Sequence, residues 1–83
     1  MQHVPHELQE EFPAAVALIK QLRHDNHDFR ALATRYDEVN HQIFRIETEQ
    51  EPAEDSVAET LKKERLRLKD EIAVLLARVE NRM

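Results

Sequence analysis

The sequence predicts an all-α protein: an antiparallel, coiled-coil-like helical hairpin preceded by a short N-terminal helix. Three observations lead there. The 83 residues contain no glycine and no cysteine, and 35% of them are charged. Two apolar seams recur at alternating spacings of three and four residues, the period of helices packed at a shallow angle. Facing positions of the two seams, read antiparallel, add to one constant number at every layer.

The missing glycine excludes whole function classes. I′ and II′ hairpin turns and phosphate-cradling loops need positive φ at low steric cost. Dinucleotide fingerprints, Walker loops and nucleophile elbows are therefore absent. Zinc ribbons and thiol redox chemistry go with the cysteines. Helices are what this composition builds well.

The chain is read as a single domain, 1–83, with five parts. Residues 1–12 form an N-terminal segment. Pro13 suits a first helical position, and Ala15, Val16, Leu18, Ile19 and Leu22 follow at helical spacing, which predicts a short helix over 13–24. The apolar pattern lapses in HDNHD, residues 24–28, where Asp25 and Asn26 are N-cap candidates and predict a break or kink, with a continuous helix as the alternative because no proline forbids it. A hairpin helix over 26–50 follows, with its seam at Phe29, Leu32, Tyr36, Val39, Ile43 and Ile46. The acidic, proline-containing stretch 51–55 is the connection. Ser56 with Glu59 fits a capping box, with Asp55 as the alternative cap, and predicts the second hairpin helix over 56–81. Its seam reads Ala58, Leu61, Arg65, Leu68, Ile72, Leu75 and Val79.

A short connection makes the two helices antiparallel. Ile46 then meets Ala58, Ile43 meets Leu61, and Val39 meets Arg65. Tyr36 meets Leu68, Leu32 meets Ile72, and Phe29 meets Leu75. Each pair of residue numbers adds to 104. The same register sets Arg35 against Glu71 at the flank. A lone hairpin of this length is marginal, because ordering each residue costs about 1–2 kcal/mol of backbone entropy. Self-association into a helix bundle is the expected remedy.

The segment YDEVNHQIFRIE (36–47), joined by a short acidic, proline-containing link to LKKERLRLKDEI (61–72), resembles the YdcH-like family of small bacterial proteins. EFPAAVALIKQLRHDNHDF, from Glu11 to Phe29, is similar to that family's opening segment. The resemblance covers about residues 6–77 and implies a helical-hairpin fold with no established biochemical activity. It departs at His27, a position where some relatives carry proline.

No catalytic, cofactor-binding or metal-ligating residue is assigned, and no cofactor is expected. His3 and His6 are three apart, as are His24 and His27, but each pair lacks a third ligand in its own segment. They are read as exposed histidines near helix ends, with a site shared across a dimer as the remaining route to metal. His41 has no paired nucleophile. Arg65 is the one charged member of a seam, and such a residue fixes register and association state at a cost in stability. Its stem is expected on Val39 and its head near Gln42 or Tyr36. On that reading Arg65→Leu raises stability.

The preferred function is non-enzymatic: a cytoplasmic helical-hairpin protein acting through protein–protein contacts, first with itself as a homo-oligomer and then with an unidentified protein partner. The expected interaction surface is Phe12, Val16, Ile19, Leu22, Phe44, Leu66, Val74 and Leu76, apolar residues outside the hairpin seam, some of which the first helix can cover by folding back while a second copy would cover more. The alternative is a nucleic-acid-associated regulator using the basic run KKERLRLK, 62–69. Interleaved acids, the lack of aromatics among them and a net charge of −5 argue against it. No apolar run approaches the ~20 residues of a membrane span. The opening MQHVPHELQEEF is unlike a signal or transit peptide, which makes the cytoplasm the expected compartment.

Overall fold

A computed structural model describes residues 3–82, and among them every regular element is helical. Helix α1 is a single turn, Leu8–Glu11, followed by a 3-10 turn, Pro13–Ala15. Helices α2 (Val16–Asp25), α3 (His27–Glu47) and α4 (Asp55–Glu80) complete the chain. The long helices α3 and α4 form the hairpin, and α2 folds back along α3.

Each boundary has a local cause. Pro13 opens the 3-10 turn rather than the α-helix, because Phe12 before it (φ −129°, ψ 64°) and Ala15 at its end (φ −115°, ψ 19°) lie off helical geometry. The helix expected from residue 13 therefore starts at Val16. Asn26 is extended (φ −117°, ψ 113°), and its Oδ1 accepts from the Phe29 backbone N–H at 2.9 Å. The chain thus breaks at Asn26, and His27 occupies the first helical position, where proline is also tolerated.

Helix α3 ends at Glu47, three residues before the expected end. Glu49 takes φ 62°, with Glu49 N–H donating to Ile46 O at 3.1 Å and Gln50 N–H to Arg45 O at 2.9 Å. This is a Schellman closure, made here by a glutamate instead of the usual glycine. Helix α4 starts one residue earlier than expected. Glu54 is its N-cap, with no side-chain capping bond, so the Ser56–Glu59 capping box does not form. Asp55 in the first turn places negative charge at the positive end of the helix dipole.

The two long helices pack against each other as expected, but the buried stripe is displaced to one side, and Ile46 and Ala58 of the expected loop-end layer lie outside the buried core. Phe29, Tyr36, Val39 and Ile43 are buried, as are Leu68 and Ile72 opposite them. Leu32, Leu61, Leu75 and Val79 only pack partly against that core. Ala33 is fully buried instead, and Leu76 is nearly so. Both sit at e positions, beside the a/d seam. A two-helix seam is narrow, but docking a third element along one flank widens the apolar stripe to include that flank. Here the third element is the N-terminal third of the chain, whose Leu8, Ala15, Ile19 and Leu22 are buried against the hairpin.

Polar contacts give the same register. On the covered flank Glu47 pairs with Lys62 at 3.6 Å, and on the open flank Arg35 pairs with Glu64 at 2.6 Å. Their number sums lie five above and five below 104. The expected Arg35–Glu71 pair is therefore corrected by one heptad. Arg35 turns toward the loop end, where Glu38 supplies a second carboxylate at 3.7 Å. Arg23 grips Asp37 with two hydrogen bonds, 2.9 and 3.3 Å, and holds α2 against α3.

Candidate interaction surface

The N-terminal segment is fastened across the hairpin by polar groups at several described residues. Tyr36 Oη donates to His6 O, and Asn40 Nδ2 donates to Pro5 O at 2.9 Å. Asn40 is 2% exposed, and its Oδ1 accepts from Arg65 Nη1 at 2.9 Å. Arg65 therefore reaches neither Gln42 nor Tyr36 by hydrogen bond. It closes a chain running from α4 through Asn40 of α3 to the backbone of the N-terminal segment. At the other end of that segment Lys69 Nζ meets Glu11 Oε1 at 3.3 Å.

Two ionisable groups along this segment are shifted from their ordinary values. Burial pushes the Tyr36 phenol up to about 12, with the Glu11 carboxylate adding to the rise and Arg65 opposing it. Burial works to raise Glu11 as well, but hydrogen bonds and charges from His6 and Lys69 prevail and hold its carboxyl below the ordinary value.

Four of the five histidines face separate acidic partners. His3 faces Glu10, His6 faces Glu11, His24 faces Asp25, and His41 lies 3.6 Å from Glu7. Among the described residues no group of three or more histidine, cysteine or acidic side chains converges to hold a metal ion. The basic run is divided. Lys62, Arg65 and Lys69 point to partners on other segments, whereas Lys63 and Arg67 are exposed.

The eight residues expected to form an interaction surface separate into three groups. Ile19, Leu22 and Leu76 are buried within the single chain, so their expected accessibility is corrected. The cause is the docking of α2 and the 3-10 turn on the hairpin flank. Val16 is half-buried beside Lys20 and Arg23, and Phe44 is half-buried beside Pro5, His6 and Arg65. Leu66 remains 60% exposed and Val74 50% exposed. Phe12 is half-buried and walls an apolar groove of about 270 Å³.

That groove lies between the Phe12–Ala15 turn and the C-terminal half of α4. Ala73, Leu76 and Ala77 form its other side, and Glu80 stands at its rim. The alanines create it, because side chains this short leave a trough beside Phe12 and Pro13. Leu66 is on the same α4 face, seven and eleven residues before Ala73 and Ala77, which is about 10 and 16 Å along the axis. Sequence reading missed both the groove and Asn40. The signal for Asn40 was present: a polar residue at the level of Arg65, on the flank next to Val39.

No helix among the described residues is long and apolar enough to cross a membrane. The profile of a family described as a protein of unknown function, DUF465, matches residues 29–76. The matched span runs from the first buried aromatic of α3 to the last buried leucine of α4, and takes in more than half of the chain. No curated protein and no solved structure matches the sequence.

Proposed function

The chain belongs to the DUF465 family of proteins of unknown function, and we propose that it works without catalysis, through protein–protein contacts that begin with a second copy of itself in the cytoplasm. The observation that carries this reading is the apolar groove, together with Leu66 and Val74 exposed on the same helix. Large apolar side chains left in water on a surface that also carries a hydrophobic trough mark an interaction site. The node of Tyr36, Asn40 and Arg65 supports the same reading from another side. Tyr36 and Asn40 donate to backbone carbonyls of the N-terminal segment and Arg65 donates to the Asn40 side chain, so the three act as fasteners of that segment.

The basic run 62–69 offers less to nucleic acid than its sequence suggests, since Lys62, Arg65 and Lys69 each have a partner within the chain. Sedimentation of the purified protein over a wide concentration range tests the proposal. A mass that rises above the monomer with concentration is the expected result. A monomer throughout overturns it, and salt-sensitive binding of that monomer to labelled duplex or single-stranded nucleic acid would favour the regulator.

A further inference from the structure

We infer that two copies pair through the outer faces of their α4 helices, antiparallel, with each Leu66 seated in the groove of the other copy. The inference rests on the self-association proposed above and gives it a geometry. The α4 face turned away from α3 carries Lys63, Leu66, Asp70, Ala73, Ala77 and Glu80, spaced 3, 4, 3, 4 and 3 residues apart. That is a second heptad seam, and all its members except the half-buried Ala73 are exposed.

Antiparallel pairing of this seam with itself can be examined as the hairpin was. Leu66 meets the partner's Ala77, Asp70 meets the partner's Ala73, and Lys63 meets the partner's Glu80. Each pair adds to 143. The layers are complementary in size and charge. The most exposed large apolar side chain falls on an alanine whose neighbours, Phe12 and Leu76, wall a groove. Lys63 and Glu80 have no ion pair within the chain among the described residues, while Lys62 and Lys69 on the adjacent flank do. A parallel pair would instead oppose Lys63 to Lys63 and leave both grooves empty.

The occupant is a second copy because knob and hole, cation and anion, all lie on one face. A two-fold axis then satisfies each element twice and closes the assembly. Val74 adds a further match. The Glu47–Lys62 pair shows that flanking residues meet at five above the level sum in this protein's own hairpin. The same offset brings Val74 against its own copy on the axis. Asp70 is the discordant member, near its symmetry mate, and it makes the dimer reversible rather than permanent.

The test uses the full-length chain, with dissociation constants from sedimentation equilibrium and helicity checked by circular dichroism. Leu66, Lys63 and Glu80 are exposed, so their variants retain the fold. Leu66→Ala is expected to weaken the dimer at least about thirtyfold, since two leucines lose their burial. Lys63→Glu and Glu80→Lys each weaken it about five- to tenfold, and the double exchange restores it. A wild type that associates but is indifferent to all three changes overturns this geometry and leaves self-association standing. Failure of the double exchange to restore affinity overturns the antiparallel register. A wild type that stays monomeric overturns both.

Discussion

Arg65→Leu removes the donor that the buried Asn40 Oδ1 depends on. A buried acceptor stripped of its partner costs about 1–3 kcal/mol. Arg65 is only half-buried, so a leucine there gains less than the ~1.5–3 kcal/mol of full burial, and about 1 kcal/mol is a fair allowance. The net expectation is a loss of up to about 2 kcal/mol, about 1 kcal/mol at the centre of that range, the opposite of what the seam alone predicts. In a domain of this size 1 kcal/mol moves Tm by about 4–8 °C, and a drop of about that size is expected. Thermal and urea melts of Arg65→Leu, Asn40→Ala and the double variant supply the assay. Because the two residues share one hydrogen bond, the double variant loses less than the sum of the singles, by about 1 kcal/mol or more. A Tm at or above wild type for Arg65→Leu, or strict additivity, would refute the reasoning.

Three further outcomes follow from named groups. Tyr36 ionises at about 12 when folded against 10 in the free residue, so its contribution is whole below pH 10 and is lost as pH climbs from 10 toward 12. The loss amounts to roughly 2–3 kcal/mol, and alkaline denaturation curves of Tyr36→Phe should lack that limb. Glu11 is held below its ordinary value, so it stabilises above about pH 4.5 and ceases to as pH falls through its folded value. Acid titration by circular dichroism should show a shallower acid limb in Glu11→Gln. Glu49 sits at φ 62°, and Glu49→Gly should stabilise by about 0.5–1 kcal/mol in urea melts, since glycine takes that conformation without steric strain.

The hairpin was legible because its information is local in period and redundant in number. Six layers from Phe29–Leu75 to Ile46–Ala58 agree on one register, and chance alternation does not produce that. The burial of Ala33 and Leu76 was not legible, because it depends on where α2 and the 3-10 turn dock, and no spacing within α3 or α4 encodes that. Ile19 and Leu22 were read correctly as apolar helix face but assigned to a partner, since a sequence does not say whether a face is covered from within or from outside. Asn40 was passed over because a lone polar residue beside a seam reads as solvated surface until a backbone carbonyl is found against it. The groove is a property of small side chains opposite a turn, and hydrophobic counting favours large residues.

The most direct test of the central claim is a dilution series of backbone amide shifts by nuclear magnetic resonance. Concentration-dependent shifts concentrated at Phe12–Ala15 and at the outer-face positions Lys63, Leu66, Asp70, Ala73, Ala77 and Glu80 of α4 are the predicted result. Shifts centred instead on the open flank, at Arg35, Glu64 and Glu71, or no change across the accessible range, would contradict it.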